Sequence, residues 1–317
     1  RVYVEPTGKI LINNTARVTE NKIGYGSTGG AGVYVNGGTF EMHNDASVAD
    51  NTVNNINGSS GGGVYVNGGT FEMHNSASVT GNKATNGTLN GGGVYVNGSG
   101  TFAMNNSASV SGNTANQGGG VYVESGTFNM NDGKISGNKA KNDKASNDTN
   151  GGGVFVNKSG TFNMNDGAIS DNKATNSDEW NTTYGGGVYV SGGTFTRNDG
   201  TISGNTGNGV FVNGGTFTVS NTPTVKENTK DGAASNVYLM GSAYITIGNQ
   251  GLNGSDGSIG VTKLPNSGKE EIVIAEGVNE DYSGKFSSDD ETREVKYENK
   301  QLVLKKKATQ PSEHTHS

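Results

Sequence analysis

The chain repeats itself, and this repeat constrains its fold more than any other feature does. Residues 33–44, VYVNGGTFEMHN, recur without change at 64–75. Each copy holds three short segments, V-Y/F-V, T-F-x-M and S-V or I-S, in which apolar and other residues alternate between turns rich in Asn, Asp and Gly. This period of two is typical of β-strands. Looser copies begin at Val94, Val121, Val154, Val188, Val210 and Val237, with a partial one at Val2.

Three strands in a repeat of 22 to 34 residues predict one coil of a parallel β-helix. Neighbouring coils then stack at about 4.8 Å, the strand spacing of a sheet, and equivalent residues form columns. The predicted inward columns are the Phe and the Met of the second segment and the Val or Ile of the third. An asparagine three residues later forms a further column, whose amides can bond from coil to coil. This column comprises Asn21, Asn51, Asn82, Asn113, Asn138, Asn172, Asn205 and Asn228.

The composition agrees with a narrow tube. Leu, Ile, Val and Phe make up about 18% of the 317 residues, which include 54 glycines, and the net charge is −6. So few apolar residues usually indicate disorder, but a solenoid uses the same few core positions in every coil. The absence of cysteine excludes disulfides and thiol chemistry. With no basic footprint and no long apolar run, we expect neither a nucleic-acid partner nor insertion into a membrane.

The repeat weakens towards the end of the sequence, which predicts three regions. Residues 1–240 are the β-helix repeats, 241–304 a β-rich cap, and 305–317 a polar tail. The cap should contain degraded coils and a hairpin in EVKYENKQLVL, because a solenoid needs atypical ends to cover its open strand edges. The chain opens at Arg1 within a strand-like segment, so we expect an excised, monomeric part of a longer protein.

Glycine runs followed by F-x-x-N resemble the repeats of polymorphic outer-membrane-type and other adhesin-like surface proteins. One such pair is Gly-Gly-Gly-Val at 151–154 with Phe162 to Asn165. The resemblance covers about residues 30–240, although two coils have histidine in place of that asparagine. It implies a pectin-lyase-like, right-handed β-helix that is displayed on a bacterial surface, often in adhesion.

Two groups of charged residues have both plain and functional interpretations. Asp132, Asp166 and Asp199 form a column, but each precedes a glycine, as a tight turn requires. Turn geometry is therefore favoured over a bound cation or catalysis. Arg197 interrupts the methionine column; an ion pair with Asp199 or Asp166, a side chain reaching solvent and a functional Arg–Asp pair are all open. No residue is assigned a catalytic, cofactor-binding or metal-binding role.

The middle residues of the V-Y/F-V segments form an aromatic row. Because the valines on either side face inward, alternation along the strand places these rings on its outer face. We expect exposed rings that stiffen the sheet and could stack on sugars, with Tyr95 and Tyr122 as candidate ligand-binding residues. The row comprises Tyr34, Tyr65, Tyr95, Tyr122, Phe155, Tyr189, Phe211 and Tyr238.

Insertions fall at one corner of the repeat, between the asparagine column and the next glycine run. In solenoids, insertions on one side often build the binding face. The insertion at 175–184 holds the only tryptophan of the chain, the residue type most enriched in binding hot spots. The remaining candidate ligand-binding residues lie in this insertion and its neighbour: Trp180, Tyr184, Asp178, Glu179 and Lys144.

Together these features predict a non-enzymatic, extracellular β-solenoid on a bacterial cell surface. It would act without a cofactor, as an adhesin stalk or as a binding module for a glycan or a host or environmental surface protein. A polysaccharide lyase or glycosidase on the same fold is the alternative. Ice binding, suggested by the threonine before each core Phe, is a more distant one.

Overall fold

A computed structural model describes residues 1–24, 29–54, 61–85, 89–142, 149–176, 183–265 and 271–308. The predicted architecture is confirmed: these residues form a parallel β-solenoid of about eight turns. Apart from one 3₁₀ turn, Ser283–Lys285, their regular structure is all strand. None of the described residues lies in a helix long and apolar enough to cross a membrane.

The three predicted strands of each coil are present and pair in register with the coils on either side. The V-Y/F-V strands of the first four coils are β1 (Val2–Val4), β5 (Val33–Val35), β9 (Val64–Asn67) and β13 (Val94–Asn97). Their T-F-x-M strands are β2 (Lys9–Ile12), β6 (Thr39–Met42), β10 (Thr70–Met73) and β14 (Gly100–Met104). In later coils the two kinds run together as β17 (Val121–Met130), β21 (Val154–Met164), β25 (Val188–Arg197) and β27 (Val210–Asn221). The third kind comprises β3 (Arg17–Thr19), β7 (Ser47–Ala49), β11 (Ser78–Thr80), β15 (Ser109–Ser111), β18 (Lys134–Ser136), β22 (Ala168–Ser170), β26 (Thr201–Ser203) and β28 (Thr224–Lys226).

Six coils also contain a fourth strand, which the sequence did not predict. It follows the asparagine column and forms its own parallel sheet. It escaped detection because it is short and often consists of Lys or Thr followed by Ala, and Lys and Ala have little β-propensity. Its members are β4 (Lys22–Ile23), β8 (Thr52–Asn54), β12 (Lys83–Thr85), β16 (Thr114–Ala115), β19 (Lys139–Asn142) and β23 (Lys173–Asn176).

The core consists of the predicted columns, and each is buried. Phe128 stacks on Phe162 with ring centroids 4.7 Å apart, and the Met and Val or Ile columns are equally inaccessible to solvent. The first coil is complete as well, since Ile10 pairs with Phe40 and Ile12 with Met42. Isoleucine thus takes the Phe and Met positions there, which made this coil look partial in the sequence.

The asparagine column is a continuous hydrogen-bonded ladder. Each side-chain oxygen accepts both the main-chain N–H and the Nδ2 of the asparagine one coil earlier, as Asn138 Oδ1 does from Asn113, at 3.0 Å each. Asn113 Nδ2 also donates to the carbonyl of Val79 in the core, at 3.0 Å. Buried amides are thereby satisfied in every coil, which removes the cost of burying them.

Beyond the regular coils, irregular strands close the end of the solenoid. Ile245 continues the Phe column by pairing with Phe217, and the predicted hairpin is present, with Glu298 opposite Gln301. Its second strand also includes Lys305 and Lys306, at the start of the predicted tail; residues 309–317 lie outside the described residues. The strands are β31 (Val237–Leu239), β32 (Ile245–Leu252), β33 (Ile259–Thr262), β34 (Ile272–Ala275), β35 (Phe286–Ser288), β36 (Arg293–Glu298) and β37 (Gln301–Lys306).

Candidate functional site

The corner that varies in length is built from short strands beside the fourth sheet. Thr149 pairs with Thr183, and Asn150 pairs with Tyr184. The Thr149 hydroxyl donates to the Thr175 carbonyl at 2.9 Å, which ties this corner to β23. The strands at the corner are β20 (Thr149–Asn150), β24 (Thr183–Tyr184), β29 (Thr229–Lys230) and β30 (Ala233–Ala234).

A cleft of about 490 Å³ opens at this corner, and we name it the corner cleft. Its walls come from three successive coils, so the solenoid itself sets their spacing. Two lysines, three threonines and one aspartate line the same space, a set of residue types suited to a ligand rich in oxygen atoms. The lining residues are Lys173, Ala174, Thr175, Asn176, Thr183, Thr206, Gly207, Lys230, Asp231 and Gly232.

Lys230 is the most constrained cation of the cleft. Its Nζ donates to the Thr183 carbonyl at 2.6 Å and lies 4.1 Å from the centroid of the Tyr184 ring. Burial lowers the pKa of Lys230, although the nearby charge of Asp231 opposes that shift. Lys173, by contrast, is exposed at the rim. The cleft therefore combines one cation that is held by a hydrogen bond with one that is exposed to solvent.

Tyr184 supports the cleft without presenting a free ring. Its ring stacks on Phe211 with centroids 4.1 Å apart and also contacts the Lys230 ammonium. Tyr184 is thus the one predicted residue of its insertion that the structure describes, and its contacts hold Lys230 in place. The others, Trp180, Asp178, Glu179 and Lys144, lie outside the described residues, and their role stays a prediction.

The expectation that the aromatic row is exposed was wrong. The rings do lie on the side of the strand opposite the core valines, but Tyr95 is only 2% exposed and Tyr122 only 4%. The two rings stack at 5.2 Å, and the glycine runs cross their bases: a Cβ on Gly91 would lie 2.9 Å from the Cβ of Tyr95. Rings covered in this way form a second core, so Tyr95 and Tyr122 offer no stacking face to a sugar.

Arg197 is buried in the methionine column and forms none of the predicted ion pairs with the described aspartates. Its Nη2 donates to two main-chain carbonyls, Gly200 at 2.6 Å and Thr224 at 2.7 Å. Nε and Nη1 have no hydrogen-bond partner among the described residues. Burial lowers the pKa of Arg197 to about 9, and the charge of Asp199 only partly offsets this.

The acidic column takes part in turns, as favoured from the sequence. Asp132 Oδ1 accepts the N–H of Gly133 at 2.6 Å, and Asp166 Oδ1 accepts that of Gly167 at 2.7 Å. Asp199 instead accepts the main-chain N–H of Thr222 in the next coil, at 3.0 Å. Each of these three carboxylates therefore already accepts a hydrogen bond from a main-chain N–H.

Sequence reasoning located the corner but missed the lysines of the cleft. Lys173 and Lys230 follow no recognised motif. A signal was available for Lys173 alone, because the residue after each ladder asparagine is always Lys or Thr. Comparison of the chain with models of protein families, with curated proteins and with solved structures found no match in any of the three.

Proposed function

We propose that the chain is a non-enzymatic, extracellular binding module of a bacterial surface protein, similar to adhesin-type β-helix repeats. It holds a glycan or a surface protein at the corner cleft and needs no cofactor. The solenoid acts as a stiff support, and the cleft selects the ligand.

The observation that carries this proposal is the convergence of Lys173 and Lys230 on one polar cleft. A half-buried ammonium that is already oriented loses little conformational freedom when a ligand oxygen replaces water beside it. Thr175, Thr183 and Thr206 line the same cleft, and a threonine hydroxyl can donate or accept a hydrogen bond. Such a set suits hydroxyl-rich or acidic ligands.

The regular coils support the proposal because they leave the cleft little freedom to deform. Stacked rings and the asparagine ladder run the length of the repeats on both sides of the corner. Binding residues held by rigid elements keep their geometry better than residues on loops alone.

A polysaccharide lyase is the competing function, and one observation favours it. Lys230, whose pKa burial lowers, lies next to Asp231 in the cleft, and a lysine with a lowered pKa can act as a general base. The two functions differ in outcome: a binding module leaves the glycan intact, whereas a lyase shortens it.

The test is an array of glycans and bacterial and host surface proteins, probed with the chain. Bound glycans are then incubated with the chain and their length is measured by chromatography. We expect binding without shortening, and a roughly tenfold loss of affinity for Lys230→Gln, the effect of removing a charge-assisted hydrogen bond.

Two further variants make the result specific to the cleft. Lys173→Thr introduces the residue that the next coil has at the same position, so the fold is preserved, and it should also weaken binding. Lys226→Gln should leave binding unchanged, because Lys226 lies on β28 and does not line the cleft. Shortened glycan would establish the enzyme, and ice-growth inhibition without any binding would favour the ice-binding alternative.

A further inference from the structure

A row of lysines follows the outer face of the fourth sheet. Strand pairing aligns these positions in successive coils, with Lys83 opposite both Thr52 and Thr114, and Lys139 opposite both Thr114 and Lys173. The row continues to Thr206 at the corner cleft. We name its cations, Lys22, Lys83, Lys139 and Lys173, the lysine row.

The ammonium groups of the lysine row are available to a ligand. All four lysines are exposed, and within the described residues none of them forms an ion pair. Their strands are anchored by buried neighbours such as Ala84, Ala140 and Ala174. The backbone of the row is therefore fixed, while the side chains are free to reach outward.

The columns on either side leave the centre of the row positive. One column consists of the residues two positions before the lysine row. It has acids at its ends, Glu20, Asp50 and Asp171, but glycine in the three coils between. Those glycines are Gly81, Gly112 and Gly137. The Asp50 carboxylate lies against Gly81, so the acid-free part of this column is Gly112 and Gly137. The column formed by the residues two positions after the lysine row has no Asp or Glu in these coils. On a chain of net charge −6, the stretch around Lys139 is thus locally basic.

The spacing of the row identifies the ligand that would match it. Lys139 and Lys173 lie one strand spacing apart, about 5 Å, while Lys22, Lys83 and Lys139 follow at two spacings, about 10 Å. These intervals match a polymer with one negative charge per one or two sugar units. The threonines between the lysines can hydrogen-bond to the hydroxyls of such a chain.

We infer that the lysine row binds a linear acidic polysaccharide lying parallel to the solenoid axis, with one end in the corner cleft at Lys173. This inference rests on the proposed binding function and names its ligand class. Duplex nucleic acid fits less well, because its charges recur about every 1.7 Å and the row has no arginine for bidentate phosphate contacts.

The test measures the affinity of the chain for hyaluronan, which carries one carboxylate per two sugars, and for chondroitin sulfate, which adds sulfate. Neutral dextran and duplex DNA serve as comparison ligands. The double variant Lys83→Thr/Lys139→Thr, which installs the residue that the row itself uses in other coils, should weaken binding roughly tenfold. Added salt should weaken it further, because these charges are exposed.

A control with the same change in net charge is Lys134→Ser/Lys226→Ser, which removes two lysines from the third strands. This variant should bind hyaluronan as the parent chain does. Equal losses in both double variants, equal binding of dextran, or tighter binding of DNA through the same lysines would each overturn the inference.

The two proposals fail in different ways. Suppose that neither acidic glycan binds, but another ligand of the array does and its binding depends on Lys230. The proposed ligand class is then wrong, while the corner cleft is still the binding site. If hyaluronan binding depends on Lys83 and Lys139 but not on Lys173 or Lys230, the ligand class stands, but the placement of one end of the ligand at Lys173 in the corner cleft is wrong.

Discussion

Asp289 accepts two hydrogen bonds from Asn236, one from its main-chain N–H at 2.8 Å and one from its Nδ2 at 2.6 Å. Asn236 in turn accepts both donors of Asn228, so the ladder that runs through the solenoid ends on this carboxylate. An ionised carboxylate only accepts, and Asp289 therefore ends a series in which each asparagine donates to the next one of the column.

Replacing Asp289 by asparagine should destabilise the chain by about 1–3 kcal/mol. The new Nδ2 would face a donor of Asn236 and leave it unsatisfied in a buried position. Thermal unfolding of Asp289→Asn measures the loss. Asp50→Asn, at an exposed corner whose positive φ suits asparagine, should unfold like the parent chain; if both variants unfold alike, Asp289 does not terminate the ladder energetically.

Truncation of either stacked column should destabilise the solenoid. Phe128→Ala in the inner core and Tyr122→Ala in the outer aromatic row should each cost about 3–5 kcal/mol, because both rings are buried between stacked neighbours. An exposed Tyr122, as expected from the sequence, would tolerate this truncation. Denaturant unfolding of both, beside Leu11→Ala at a 51% exposed position, decides whether the outer row is a core.

Replacing Arg197 by methionine should stabilise the chain. The change restores methionine at this position of the column. It also removes a buried guanidinium, two of whose nitrogens have no partner among the described residues, a replacement worth about 1–4 kcal/mol in comparable buried ionic sites. A higher melting temperature is expected. A lower one would mean that the guanidinium has a partner, such as a buried water or anion, that compensates its burial.

Lys263 should make stability rise with pH in alkaline solution. Its Nζ donates to the carbonyls of Ala243 and Val273, and burial lowers its pKa from 10.5 to about 8. Below pH 8 Lys263 is protonated in both the folded and the unfolded state, so the folded state bears the full free-energy cost of burying its charge. Between about pH 8 and 10.5 only the unfolded state keeps the proton, so the free energy of unfolding increases.

This dependence is measured as the melting temperature of the chain relative to Lys263→Met, which does not titrate. Between pH 7 and 10 the melting temperature of the parent chain should rise relative to that of Lys263→Met. A constant difference across that range would contradict a lowered pKa for Lys263.

The sequence could predict the solenoid because period-two segments recur with fixed partners in every coil. Met130 stands two residues after Phe128 and Asn138 three residues after Ile135, and these offsets recur in the other coils. The path of the chain between strands was not readable in this way. The glycine runs cross the base of rings such as Tyr95, and no alternation signals that contact.

The corner could be located from its varying length, but its chemistry could not be read. Lys173 and Lys230 belong to different coils and line one cleft only because the solenoid stacks these coils. The side chain of Lys230 also donates to the carbonyl of Thr183, a residue far away in the sequence. Contacts that depend on coil stacking and on one side-chain path have no local sequence signature.

Lysine acetylation, followed by mass spectrometry with and without hyaluronan, tests most directly whether the ligand follows the lysine row into the corner cleft. We expect hyaluronan to lower the reactivity of Lys83, Lys139 and Lys173, while Lys134 and Lys226 react as before. Unchanged reactivity along the row, or an equal decrease at Lys134 and Lys226, would contradict it.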